Sequence, residues 1–237
     1  MNYVSEINPL RIAIFGSFYR GYAVLDELTN GPLSKLIKIV GIVTDDPARS
    51  FVNAKNRVWQ YGYNSYEAHL LDSSANSINC QVYKEKVKKD NFYRLYEDLW
   101  KPDLCIMATF GQRINSRLYN FPKLGFVNFH PSDDTIWPSK YAGPNPFSEM
   151  ISDGLKECIL ALHEVDSTFD TGRLLMKSDR IPIPPGVTAK DMHKISSSYA
   201  SRTIRKFLIK TLNNDVPKDY IINTTQVSNS TDTTSMY

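Results

Sequence analysis

With 237 residues, 42% hydrophobic and 22% charged, the chain has the composition of one large globular domain, or of a domain with a small appendage. A formal charge of +3 without a dense Lys/Arg tract permits an anionic small substrate and does not call for nucleic acid. Cys80, Cys105 and Cys158 show no metal-ligand spacing, and no apolar run reaches membrane-spanning length; the expectation is a cytoplasmic protein with no metal, no disulfide framework and no membrane segment.

Arg11 to Phe15 is a short apolar run ending at Gly16 and reads as a buried strand. Tyr22, Leu25 and Leu28 then recur at helical spacing, and Ile37 to Val43 forms a second strand. Strand, helix, strand within about thirty residues is a βαβ unit, which requires a parallel sheet. Ser65 to Asn76 reads as a helix capped by Ser65, Gln81 to Tyr83 as a minimal strand, and Phe92, Leu95, Tyr96 and Leu99 as the apolar stripe of another helix. Leu104 to Ala108 is the next buried strand.

Phe126 to Phe129 follows as a strand that ends in polar groups. Alternation along a strand puts Asn128 and His130 on one side, and Pro131, lacking an N–H, is expected to stop the ladder. A Pro/Gly-rich loop, Trp137 to Pro146, leads into a helix over Phe147 to Ile151. Two more strands are expected, at Glu157 to His163 and Leu174 to Met176, with Asp170 in the turn between them. A long helix from Thr188 to Leu212 carries Met192, Ile195, Tyr199, Thr203 and Phe207 as its expected buried stripe. Val216 to Asn223 is a candidate strand or homodimer contact, and Ser228 to Tyr237 a polar tail. The expected class is therefore α/β, a Rossmann-like, mostly parallel sheet with helices on both faces. Residues 1–186 form the main domain, and 187–237 a C-terminal helix with a short extension.

Ligands in open parallel sheets bind beyond the carboxyl ends of the strands. Asn128, His130 and the segment Thr109 to Gln112 lie at such ends, and Asp170 can be brought over the same edge. Asn128-Phe-His-Pro-Ser132, Tyr141-Ala-Gly-Pro-Asn-Pro146 and His163-Glu-Val-Asp-Ser-Thr-Phe-Asp-Thr-Gly172 together resemble the folate-dependent formyltransferases, most of all their amino-sugar branch. The resemblance runs over roughly residues 11 to 180. It implies a formyl group carried by 10-formyltetrahydrofolate, Asn128 and His130 donating hydrogen bonds to the formyl oxygen, and Asp170 handling the proton that the acceptor amine loses, with no metal required. It also implies folate contacts from Phe110, Gly111, Gln112, Arg113 and Ile114 on one wall, and from Asp166 and Phe169 on the other.

The acceptor is narrowed by exclusion. The place of a glycine-rich phosphate loop is taken by the bulky Gly16-Ser-Phe-Tyr-Arg-Gly21, and the residues after Leu212 are too few for the C-terminal domain expected of a methionyl-tRNA enzyme. A nucleotide-linked amino deoxysugar, formylated for surface polysaccharide, is the acceptor expected. Phe18, Tyr19 and Trp59 are candidate stacking faces, equally readable as packing aromatics; Arg20 is a candidate for phosphate, and Asp133 and Tyr141 for the acceptor itself. The loop Asp133 to Lys140 is longer and more acidic than the family pattern. Glycinamide ribonucleotide or another amine, a formyltetrahydrofolate hydrolase, and a non-catalytic folate- or ligand-binding module stand as alternatives in that order.

Overall fold

A computed structural model describes residues 8–49 and 58–213. The candidate strand or dimer contact at Val216 to Asn223 and the polar tail lie outside the described residues. Among the described residues, no helix is long and apolar enough to cross a membrane.

The chain folds as the expected βαβ succession. Strand β1 (Leu10–Gly16) passes through α1 (Phe18–Asn30) to β2 (Ile37–Val43). Two short helices, α2 (Ser65–Ala68) and α3 (Leu70–Ser77), lead to β3 (Val82–Tyr83). Helix α4 (Asp90–Arg94) continues into a π-helical turn over Leu95–Trp100, which delivers the chain to β4 (Leu104–Ala108). After α5 (Ser116–Tyr119) come β5 (Phe126–Ser132), α6 (Pro146–Ser152), β6 (Glu157–Glu164), β7 (Leu174–Lys177), β8 (Ile181–Pro182) and α7 (Ala189–Leu212).

The sheet order is β3-β2-β1-β4-β5-β6-β7, with β8 paired to β6. Neighbours from β3 through β5 run parallel, and β6 reverses direction against both β5 and β7. Alternation sends side chains to two separate cores. Ile12, Ile14, Ile106, Val127, Phe129 and Leu162 pack under α1, α6 and α7. Ala13, Phe15, Cys105 and Phe126 face Phe92, Tyr96, Trp100 and Leu118 on the other side. Helices thus cover both faces, and Asn128 and His130 project on the side of Phe126.

Several local expectations are corrected. The ladder of β5 does not stop at Pro131, because Pro131 pairs with Leu160 and Ser132 with Ile159. The Phe126 carbonyl accepts from Val165 N–H at 2.7 Å, so even-numbered residues of β5 direct their backbone groups toward β6 and Pro131 directs its own away. On that side pairing with β4 ends at Asn128, so the missing N–H leaves no ladder bond unmade. The helix expected over Ser65 to Asn76 is broken at His69, and its cap is Asn64, in a reciprocal capping box with Glu67. The π-helical turn adds a residue to the helical register, so Trp100 turns inward at 8% exposed and Leu99 is left 70% exposed.

Helix α7 is rotated from the expected stripe. Met192 and Thr203 are buried as anticipated, but Ser196, Ala200, Ile204 and Leu208 complete the inner face, and Ile195, Tyr199 and Phe207 straddle its edges. Small side chains along the seam let α7 approach α1 closely: Ser201 Oγ donates to the Ala23 carbonyl at 2.9 Å, and Arg205 grips Glu27 through two bonds of 2.8 and 2.7 Å. Met192, Ala200, Ile204 and Leu208 share one core with residues of β1 and β4.

Candidate active site

A cleft opens beyond the ends of β4 and β5. Its walls include Met107 and the segment Thr109 to Ile114, Asn128 to Pro131, the glycine of the Tyr141–Gly143 turn, His163, Val165 to Asp170, and Arg20 and His193 from the two packed helices. Asn128, His130 and Asp170 therefore share one cavity with all seven residues expected at the folate, Phe110, Gly111, Gln112, Arg113, Ile114, Asp166 and Phe169.

The central groups form a continuous chain of polar contacts. His163 Nδ1 lies 2.7 Å from the Glu164 carbonyl, which can only accept, so Nδ1 donates there. Its Nε2 lies 3.2 Å from Asn128 Nδ2 and 3.6 Å from Asp170 Oδ1, and the Asn128 amide donates to Asp170 Oδ1 at 3.1 Å. Asp170 Oδ2 lies 3.3 Å from His130 Nδ1, and His130 Nε2 donates to the Tyr141 carbonyl at 2.9 Å. His163 is directly opposite Asn128 in the β5–β6 register, which is why it meets the amide.

His130 gives its Nε2–H to the Tyr141 carbonyl, which leaves Nδ1, beside Asp170 Oδ2, as its other polar atom. Its pKa is lowered from the usual histidine value by burial, an effect the nearby Asp170 charge offsets in part. Burial would raise the Asp170 pKa, but the His163 and His130 rings and the Gly143 N–H outweigh it and hold the carboxylate below its ordinary value.

The turn carrying Asp170 is tightly specified. Asp170 has φ +54 and Thr109, across the cavity, φ +63, both left-handed conformations that cost on the order of 1–3 kcal/mol each when a non-glycine residue adopts them. A Cβ on Gly172 would lie 1.9 Å from the Glu164 carbonyl oxygen, so the Asp-Thr-Gly turn rests directly on the end of β6. Trp137, from the long acidic loop, donates its indole N–H to the Gly172 carbonyl at 2.9 Å and sets its ring 5.0 Å from that of His163.

The two walls expected at the folate are also braced. The Gln112 side chain accepts from Val87 N–H at 3.0 Å and donates to the Glu85 carbonyl at 3.2 Å, which leaves the loop backbone as the part free to meet a heterocycle. Gly111 N–H donates to Asp45, a buried carboxylate that also lines the cavity. Arg113 places its guanidinium 4.9 Å from the exposed Phe169 ring and donates to the Ser167 carbonyl, linking the two walls at the rim. Asp166 accepts from the Thr168 N–H and hydroxyl, both at 2.9 Å, and shapes the loop between.

Of the six residues expected at the acceptor, only Arg20 lines this cavity. Phe18 and Trp59 are buried against each other, centroids 5.7 Å apart, because each ring has an apolar neighbour available in the core. Tyr19 donates its hydroxyl to Glu67 at 2.7 Å. Asp133 accepts from Thr135 within its own loop, and Tyr141 is buried, its carbonyl holding His130 and its hydroxyl donating to Asp153. His163, His193 and Asp45 are titratable cavity residues that the sequence does not single out. His163 stands in the quoted motif, but its role depends on the antiparallel register of β6.

Buried neutral histidines have a consequence for stability. His193 has its pKa pushed down to about 3 by burial, and His130 is shifted in the same direction. The unfolded chain binds these protons from about pH 6.5 downward while the native state does not, so stability is full above that pH and falls as pH drops. Between pH 6.5 and 5 the loss is expected to be about 2 kcal/mol for His193 alone. Asp170, with a lowered pKa, acts only below the carboxylate range. Urea unfolding at both pH values checks this; equal stabilities would contradict the burial of a neutral His193.

The sequence pattern of the family described as Formyl transferase matches residues 10–205. A methionyl-tRNA formyltransferase from Clostridioides difficile (strain 630) is 27% identical over 131 residues, covering 55% of this chain and 40% of that protein. The chain spans half or less of the length of such curated relatives. Among solved structures, glycinamide ribonucleotide transformylase 1 from Symbiobacterium toebii superposes with a TM-score of 0.64 at 17% identity, over 87% of this chain and 89% of that one. A formyltetrahydrofolate deformylase from Pseudomonas syringae pv. tomato str. DC3000 gives 0.62 at 15% identity, over 89% of this chain and 63% of that one. These structures share the fold, and the family pattern runs from β1 into α7 through every strand that shapes the cleft: the chain belongs to the formyl transferase family.

Proposed function

We propose that the chain transfers the formyl group of 10-formyltetrahydrofolate to the primary amine of a small acceptor, a nucleotide-linked amino deoxysugar. The observation that carries the reading is the meeting of Asn128, His130 and Asp170 in one cleft with the Phe110–Ile114 loop, so that a single bound folate can reach all of them.

The amine nitrogen attacks the formyl carbon, and negative charge develops on the formyl oxygen. Asn128 turns one N–H from His163 or Asp170 to that oxygen, in a partly buried site where such a donor is worth a factor of 10²–10³ in rate, roughly. The proton released by the amine passes to Asp170 or, through it, to the lone pair of His130 Nδ1. The bond from the formyl carbon to the folate nitrogen then breaks, and that nitrogen leaves with a proton as tetrahydrofolate. Phe110 to Ile114 hold the heterocycle through backbone groups, and Asp166 and Phe169 close the other wall. The chemistry needs an open cleft, and the acceptor enters between the catalytic groups and the α1–α7 seam.

Release of tetrahydrofolate from 10-formyltetrahydrofolate, followed with and without a panel of nucleotide-linked amino sugars, tests this. Release that depends on one of these amines supports the reading. Release that ignores every amine identifies water as acceptor, and neither release nor folate binding overturns the assignment.

A further inference from the structure

Thr109 combines two unfavourable features on the wall of the cleft. It follows Ala108, the last residue of β4, and holds φ +63, a left-handed conformation that a β-branched side chain adopts only as an outlier. Its Oγ1 is buried and has no hydrogen-bond partner. The backbone around it is fixed from both sides. The Ala108 carbonyl accepts from Ser17 N–H at 3.2 Å, Phe110 packs its ring 5.5 Å from that of Phe15, and Gly111 N–H donates to Asp45. These anchors explain how the turn persists, and they would hold it as well around a glycine. They do not explain a threonine whose hydroxyl goes unused.

The catalytic groups, meanwhile, have their N–H groups engaged. Asn128 Nδ2 lies 3.1 Å from Asp170 Oδ1 and 3.2 Å from His163 Nε2, and the Nε2–H of His130 goes to the Tyr141 carbonyl. Of the hydroxyl-bearing residues that line the cleft, Ser167 and Thr168 stand on the exposed loop, and Thr168 is bonded to Asp166 and Thr171. Thr109 is placed beside the catalytic strand. β4 and β5 run parallel with Met107 opposite Asn128, and two residues further along each chain come Thr109 and His130. Thr109 as a whole is partly open while its hydroxyl is turned from solvent. A threonine exchanges hydroxyl and methyl by one rotation about Cα–Cβ, so a carbonyl oxygen arriving in the cleft can draw the hydroxyl out.

We propose that the Thr109 hydroxyl donates a hydrogen bond to the formyl oxygen of the bound folate, beside Asn128, and so is a further catalytic residue of this cleft. The inference rests on the reading of the cleft as a formyl-transfer site. Negative charge builds on that oxygen as the amine attacks, and a second fixed hydrogen bond strengthens with it. The same bond tells loaded folate from spent folate, because the formyl group is what the one has and the other lacks. With spent folate bound, the hydroxyl is again without a partner, which favours exchange for a loaded molecule.

The test compares the wild type with Thr109→Val, which keeps the β-branch and loses the hydroxyl, and Thr109→Ser, which keeps the hydroxyl and loses the methyl. A non-transferring 10-formylfolate analogue, and the same analogue without its formyl group, are titrated calorimetrically into each protein. The wild type is expected to prefer the formylated form about tenfold, the scale of one hydrogen bond, with the preference lost in the Val variant and largely kept in the Ser variant. In turnover, kcat/KM for the formyl donor should fall about a hundredfold in the Val variant, with KM for the amine within about threefold, and serine should recover most of the loss. The thermal midpoint of the Val variant should hold or rise, because a methyl group has replaced an unpartnered hydroxyl. A wild type that binds both analogues equally, or a Val variant with wild-type preference and turnover, would overturn the role of Thr109 and leave formyl transfer standing. So would a lowered midpoint with equal losses in the Val and Ser variants, the pattern of a residue kept for packing. A wild type that binds neither analogue would overturn the formyl-transfer reading and this inference with it.

Discussion

Asp170→Asn is expected to lower kcat about a thousandfold while KM for the acceptor stays within about threefold, the signature of a group that acts on a proton in the transition state. The carboxylate is held below its ordinary pKa by the His163 and His130 rings and the Gly143 N–H, so it is ionised and ready to accept throughout the neutral range. Asparagine has the same shape and, like aspartate, tolerates the left-handed backbone at φ +54, so the turn should survive the exchange. What is lost is the negative charge beside His130 Nδ1 and the basic oxygen. Equal losses in kcat and acceptor affinity would mean that Asp170 only shapes the site.

The second large effect is expected at Gly172. An alanine there would put Cβ 1.9 Å from the Glu164 carbonyl oxygen and 2.8 Å from its carbon, both backbone atoms at the end of β6 that cannot rotate aside. The Asp-Thr-Gly turn has to lift, which draws Asp170 away from Asn128 and His130 and weakens the bond from the Trp137 indole to the Gly172 carbonyl. Gly172→Ala is expected to cost about 1–3 kcal/mol of stability, as overpacking does, together with a loss of at least about a hundredfold in kcat. Denaturant unfolding and steady-state kinetics on the same preparation check both. A variant with wild-type kcat would show that the turn need not rest on β6.

The parallel strands and the pairing of Asn128 with His130 were legible because strand alternation is local and strongly patterned. Asp170 was legible through its motif, and with it the two walls at Phe110 to Ile114 and at Asp166 and Phe169. His163 was harder to find, since its meeting with Asn128 depends on an antiparallel register that no local pattern encodes. His193 sits beside Met192 in a helix whose small residues, not its large ones, face inward, and large residues alone placed that face wrongly. Phe18 and Trp59 show the matching limit: an aromatic ring that fits a stacking site fits a core equally well, and here the core has it. Pro131 continues its strand because the neighbour on its N–H side has already ended, a fact that belongs to the sheet rather than to the proline.

The arrangement also assigns the long loop Asp133 to Lys140 a part. Through Trp137 it backs the His163 ring and holds the Gly172 carbonyl, and Lys177 and Arg180 tie Asp134 to the far edge of the sheet. Its acidic residues point into these contacts and its own turn, rather than into the cleft.

The most direct measurement is the structure of the protein with a non-transferring 10-formylfolate analogue bound. The formyl oxygen is expected within hydrogen-bond distance, about 3 Å, of Asn128 Nδ2, with His130 Nδ1 and Asp170 on the side from which an amine would approach. A formyl group lodged elsewhere, out of reach of these three side chains, would contradict it.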